Sequence, residues 1–454
     1  MVLAAATAGS WWLATSSETI TVAQRDRFRS ARAQRSADVS ADGRSVAFES
    51  LARLVPADTD ERADIYVLDR SSGRVTLESA TPDDDFEHTA PRISGDGRYV
   101  VFEVRAGRSE AASPRTDIVL YDRVAGTSRV LTATAKGDPY AWSRSPDISD
   151  DGRVVAFSSA ATTLTAGPDA NGKLEDIYVV RLPGGTVSRM SLTSDGVQPG
   201  HGNSILPSLS ADGRWLAFAS TAPLDETSSR SVPSRERAVR QVYIHDAIGG
   251  RTTRVTRPPN RGLPNGDSSL PSISGDGRFV AFASDASNLL DDDGNRSADV
   301  LLYDRDTEAL TWVSRGADGS SAGGESTGPV ISGDGRFVVF QSDASNLVCA
   351  RRGGCGSGGT ASGEPRTAET ANTEDINLLW DVFVFDSASR VLVRLSEDEL
   401  GGWMEPSSGP AIDGSGQVIA FSSRHPIDAT DRSGDFDLFV RAMTVPPIVT
   451  RKSP

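Results

Sequence analysis

A Gly-x-Ser-x-Gly pattern, "GSSAG", spans Gly319–Gly323. In hydrolases that pattern holds a nucleophilic serine on a strand–turn–helix elbow. No helical periodicity follows it here, so a plain loop is expected. "GCGSGG" at Gly354–Gly359 matches Gly-x-Gly-x-x-Gly, but no βαβ unit surrounds it, and it reads as part of a flexible insert. The histidines are His88, His201, His245 and His425. His245, in "YIHD", reads as a strand residue. His88 and His201 precede apolar segments and read as loop residues that could face a shared site, without the spacing of a zinc set. The only cysteines, Cys349 and Cys355, share one loop. A small-loop disulfide suits an exported protein, and two free thiols are the alternative.

Clustered carboxylates are the other chemical signal. "DTDERAD" ends at Asp64, "DANGKLED" at Asp176, "DDDGNRSAD" at Asp299 and "DRSGDFD" at Asp437. Several oxygens on a tight turn suit a hard cation, which makes Asp291, Asp293, Asn295 and Asp299 calcium candidates. None of these loops keeps a strict Asp-x-Asp-x-Asp-Gly order, and Asx turns capping a strand are the simpler alternative. No other cofactor is expected.

The elements that must position these residues are repeats. "ISGDGRFVAFASDASNLL" from Ile273 and "ISGDGRFVVFQSDASNLV" from Ile331 differ at three of eighteen positions. Asp-Gly-Arg recurs at Asp42, Asp96, Asp151, Asp212, Asp276 and Asp334, and a degenerate seventh copy holds Asp413. The intervals run from 54 to 79 residues. A second apolar piece follows each copy, such as "DIYVLDR" from Asp64 and "DVLLYDR" from Asp299, and then a third, such as "LTWVS" from Leu310. Each unit reads as a first strand with proline at its start, a tight Asp-Gly turn, an apolar second strand, a third strand and a more polar fourth. Seven units of four antiparallel strands predict a seven-bladed β-propeller. "ETITVAQRDRF" from Glu18 has no blade before it, and the last unit lacks a fourth strand. Thr19–Ala23 is therefore expected to complete blade seven and close the ring.

"SxDGRxVAFxS" followed by "DIYVxDR" resembles the WD40-like (PD40) repeat of the TolB-type bacterial propellers. The resemblance runs from about Thr19 to Val445 and implies an envelope or secreted interaction scaffold. Residues 1–17 are apolar and small with Ala-x-Ala at Ala6–Ala8, as an export segment would be, though the basic start is missing. Residues 18–454 are then the propeller, with a flexible insert at about 349–372.

Bulk properties narrow the partner. The 454 residues carry a formal charge of −15, which argues against nucleic acid. No apolar run is long enough for a membrane-spanning helix. In a propeller the first-to-second and third-to-fourth turns share one face, and these are short and uniform here. The other connections are long and varied, and loops on a rigid scaffold concentrate binding residues. They carry Asp83, Asp84, Asp85, His88, Trp142, His201 and Trp403. The expectation is a monomeric, exported scaffold of the envelope or extracellular space that binds a protein or glycan with this face. The alternative is an enzyme, such as a metal-assisted lyase or hydrolase, with its site in the funnel.

Overall fold

A computed structural model describes residues 20–26, 37–79, 86–106, 115–133, 138, 142–225, 239–260, 262–348, 379–396, 406–424 and 436–443. Their strands form seven four-stranded antiparallel sheets. The first six blades occupy residues 37–77, 86–130, 143–189, 204–254, 268–312 and 326–394, each in simple up-and-down order. Blade seven takes three strands from residues 407–442 and its fourth from Ile20–Asp26, which pairs with Phe436–Ala442. The chain is a seven-bladed propeller closed by its N-terminal strand. No helix among the described residues is long and apolar enough to cross a membrane.

The core lies between blades. Seven apolar clusters each join two neighbours, and the one uniting Val46, Phe48 and Leu68 with Val418 and Val440 spans the junction of blades one and seven. In five blades the phenylalanine of the second strand stacks on an aromatic of the third, while in blades two and five it faces Val119 and Leu301. Phe48 meets Tyr66 at 5.8 Å, Phe218 meets Tyr243 at 6.1 Å and Phe340 meets Phe383 at 5.7 Å.

The repeated Ser-x-Asp-Gly turn has two tasks. In blade five Ser274 Oγ donates to Asp276 Oδ1, the Arg278 N–H donates to the same oxygen, and the Phe279 N–H donates to Ser274 Oγ. Gly277 then adopts a φ of 70°, where a side chain is disfavoured. The turns also bond to one another around the axis. Backbone N–H groups run from Asp42 to Gly95 O, Gly95 to Asp150 O, Asp151 to Ala211 O, and Ala211 to Gly275 O. They continue from Gly275 to Gly333 O, Asp334 to Gly414 O, and Gly414 back to Ala41 O. The repetition thus closes a backbone ring that only small neighbours permit. A Cβ on Gly333 would lie 2.9 Å from Gly414 Cα.

The prolines do not start the first strands. They sit inside them, at β-bulges. In blade five the strand is Ser268–Ile273, and its register shifts between Ser269 and Ser272 around Pro271. A bulge leaves one residue unpaired, so the missing N–H costs no ladder bond. The preceding residue turns left-handed at Ala90, Ser145, Leu206 and Leu270, with φ between 53° and 57°, and at Gly328 and Gly409.

Candidate functional site

The six bulges line the central channel, together with Arg92, Glu103, Asp147 and Gln341. The space they leave is about 80 Å³, enough for a few waters. Its polar groups are engaged in joining blades. Glu103 accepts the Ser145 N–H at 2.7 Å, Glu49 the Ala90 N–H at 3.0 Å, and Gln341 the Gly409 N–H at 2.9 Å. One step along, Asp38 accepts the Ile93 N–H and Asp147 the Leu209 N–H, while Ser208 and Ser272 do the same for Ile273 and Ile331. Burial pushes the Glu103 carboxyl up, against the pull of the Ser145 N–H and nearby arginines. These inter-blade acceptors were not singled out from sequence. A signal existed: Glu49, Glu103 and Gln341 all fall at the variable place of the repeated second strand, where other blades carry serine or alanine.

In blades one, two, three, five and six the aspartate at the start of the third strand is pinned by a hydroxyl from beyond the fourth strand, while Asx turns do form in the loops ahead of it, at Asp58, Asp60 and Asn295. Ser79, Thr132, Ser191, Ser314 and Ser396 donate to Asp64, Asp117, Asp176, Asp299 and Asp381 in turn. The same hydroxyls accept the following N–H, as in Ile65 to Ser79 and Val300 to Ser314.

The calcium candidates are partly drawn together. Asn295 Nδ2 donates to Asp299 Oδ2 at 3.2 Å, and Trp312 Nε1 donates to Asp299 Oδ1 at 3.0 Å. Burial raises both Asp293 and Asp299. One Asp293 oxygen is buried without a hydrogen bond, while Asp291 is exposed at the rim of the loop. A cation here would have to share Asp299 with the indole N–H. In blade three the oxygen cage is filled by a protein amide. Gln198 Nε2 lies 2.7 Å from Asp169 Oδ1, 2.9 Å from Asn171 Oδ1 and 2.7 Å from Asp176 Oδ2. Burial, outweighing Ser191 and Arg189, lifts Asp176 to about 6.

The histidines separate. His245 is a strand residue as expected, its Nδ1 2.9 Å from Thr252 Oγ1, and burial lowers its pKa. His201 is an exposed loop residue. His88 is not in a loop: it lies within the first strand of blade two, Phe86–Ile93, and is 3% exposed. It faces the third strand of blade one, which spacing along the chain does not reveal. Ser321 of "GSSAG" donates to the Asp292 carbonyl in a loop, as expected. Asp83, Asp84, Asp85, Trp403, His425, Cys349, Cys355, residues 1–17 and the insert at 349–372 lie outside the described residues.

Trp142 stands just before the first strand of blade three and is 39% exposed. The Arg144 guanidinium lies 5.2 Å from its ring and is held in turn by Glu175 through contacts of 2.7 and 2.5 Å. Thr116 forms an isolated bridge with its backbone. Val197 and Leu263, on the next two connections of the same face, are 59% and 51% exposed.

Fold and site together define a seven-bladed propeller with short, uniform turns on one face and a varied loop face on the other. Neither a scan of protein-family models nor a search of curated proteins finds a match. Among solved structures, the chain is similar to the β-propeller domain of the Trilobed protease from Pyrococcus furiosus: 12% identity, 92% of this chain and 97% of that one, TM-score 0.51. It is similar to an oligogalacturonate lyase from Vibrio parahaemolyticus, at 11% identity over 94% and 97% of the two chains, TM-score 0.51. TolB from Acinetobacter baumannii is also a neighbour, at 15% identity over 84% and 76%, TM-score 0.40. At these identities the likeness is one of fold.

Proposed function

We propose that the protein is a non-enzymatic, monomeric interaction scaffold, exported to the envelope or beyond, that binds a protein or glycan through its long-loop face. The observation that carries this reading is Trp142, an exposed aromatic braced from beneath by the Arg144–Glu175 pair. Binding hot spots are rigid aromatic anchors with polar surroundings. Val197 and Leu263 add apolar contact on the same face. Trp403 and Asp83–Asp85 belong to the same proposal through their places in that face's connections. The enzyme reading is the weaker one, because the described polar groups of the channel already hold neighbouring blades together.

The test is capture from the source cell's envelope fraction with immobilised protein. A partner retained by the wild type should be lost, at least tenfold, with Trp142→Ala. It should be retained with Ile248→Asp on the opposite face. Equal retention by Trp142→Ala would remove the anchor. Turnover of ester, peptide or glycoside substrates by the purified protein would instead favour the enzyme.

A further inference from the structure

We propose that the axial channel binds a small carboxylate, held by the backbone N–H groups of Leu206, Leu270 and Gly328 in blades four, five and six. The side-chain groups of the channel join blades, but these three backbone donors do not. The observation is an accounting of donors along the innermost strands. In such a strand alternate N–H groups point away from the second strand, and each needs an acceptor elsewhere. In blade five the Ser268 N–H donates to Arg240 O at 2.8 Å, the Ile273 N–H to Ser208 Oγ at 3.2 Å and the Gly275 N–H to Gly333 O at 2.9 Å. Leu270 lies in the same row, one residue past the Ser269–Ala283 pair and one before Pro271, and its N–H has no acceptor among the described residues. Blade four repeats this: Ser204 donates to Glu175 O and Leu209 to Asp147 Oδ2, while the Leu206 N–H is left over. In blade six Ser326 donates to Ala298 O and Ile331 to Ser272 Oγ, and the Gly328 N–H is left over.

The other blades show what fits such a donor. Ala90, Ser145 and Gly409 hold the same place at the bulge, with φ of 54°, 53° and 62°, against 57°, 53° and 62° at Leu206, Leu270 and Gly328. Their N–H groups donate to Glu49, Glu103 and Gln341 of the preceding blade at 3.0, 2.7 and 2.9 Å. Two of those three acceptors are carboxylates. The corresponding residues ahead of blades four, five and six are Ser158, Ala219 and Ala283. Alanine offers no oxygen, and Ser158 Oγ is turned to Arg144 O and Glu175. Three neighbouring blades therefore keep the donor and lack the side-chain oxygen.

The space suits the same ligand. Leu206, Leu270 and Gly328 all line the channel cavity of about 80 Å³. That volume takes a molecule of about four to six heavy atoms, not a peptide segment. A carboxylate offers two oxygens with about four lone-pair sites, enough for three donors. Hydrogen bonds to a charged oxygen are also stronger than those to a neutral one. The channel's own acids stand on the side of blades two and three, each with a donor to hold. Glu103 accepts the Ser145 N–H, and Asp147 accepts the Leu209 N–H with Arg92 3.8 Å away.

The experiment follows the amide signals of the deuterated full chain by nuclear magnetic resonance while sodium acetate replaces sodium chloride at constant ionic strength. Saturable downfield shifts are expected at Leu206, Leu270 and Gly328, half-complete in the millimolar range. Ala219→Gln and Ala283→Gln supply the oxygen that Gln341 supplies to blade seven. Each should weaken acetate binding about tenfold or more without lowering the melting temperature. No saturable shift, shifts confined to other amides, or unchanged affinity in either variant would overturn the proposal. Acetamide moving the same amides at equal concentration would overturn the carboxylate assignment. The amide shifts of the unaltered protein decide the matter even if neither variant folds.

Discussion

Removal of residues 1–34 is expected to lower the melting temperature by about 10 °C or more and to make the protein aggregate. Ile20–Asp26 is the outer strand of blade seven, with Ile20 opposite Val440, Thr21 opposite Phe439 and Val22 opposite Leu438. Its loss strips several ladder hydrogen bonds, each contributing about 1 kcal/mol net. It also leaves Phe436–Ala442 as an unpaired edge able to recruit another chain. The last blade contacts blade one through Val418, Val440 and Ala37, so loosening it opens the ring at its junction. Thermal unfolding with light scattering checks this. An unchanged midpoint would mean that the ring does not depend on the N-terminal strand.

The second large effect is expected at Gly333→Val, about 2–4 kcal/mol of lost stability. The new Cβ would lie 2.9 Å from Gly414 Cα and 3.1 Å from Gly414 O, which is backbone and cannot swing aside. The Asp334 N–H bond to Gly414 O at 2.9 Å, one link of the axial ring, would be forced apart. Gly167→Val is the control, because nothing lies within 4 Å of a Cβ there. Urea denaturation of the two variants should separate them clearly, and equal midpoints would show that the turns tolerate side chains at the axis.

These two effects rest on features of different legibility. The blade number and the closing strand follow from counting Asp-Gly-Arg copies and noticing an orphan strand near Glu18. In four blades the arginine of that motif pairs with the aspartate ending the third strand. Arg98, Arg214, Arg278 and Arg336 do so with Asp122, Asp246, Asp304 and Asp386. Arg44 turns to Asp42 instead, and Arg153 stands near Arg181, where the third strand of blade three ends without an acid. Arg98, with the turn N–H groups of Ala125 and Val124, holds Asp122 down to about 2. Such half-exposed pairs contribute little to stability.

What escaped the sequence is adjacency between blades. The axial turn ring, the acceptors at Glu49 and Glu103, and the approach of His88 to Asp64 all join residues of separate repeats, and no local spacing encodes them. Pro271 reads as a strand start because a lost N–H is cheap there. A bulge makes it equally cheap mid-strand, and bulges are defined by the partner strand. His88 reads as a loop residue because the strand signal near Phe86 is weak: "FEHTAPRI" alternates poorly and holds an internal proline. The third-strand aspartates read as loop caps because their hydroxyl partners lie fifteen residues on, just past the end of the fourth strand.

The central claim is that the repeats are scaffold and the long-loop face does the binding. The short-turn face also exposes apolar groups, Val124 at 77% and Ile248 at 75%, so the two faces can be set against each other. The direct measurement places a photo-crosslinking amino acid at position 142 in one variant and at position 248 in another, expressed in the source cell and irradiated. A discrete adduct is expected from position 142 and none from position 248. Adducts from position 248 alone, or of equal yield from both, would contradict the account.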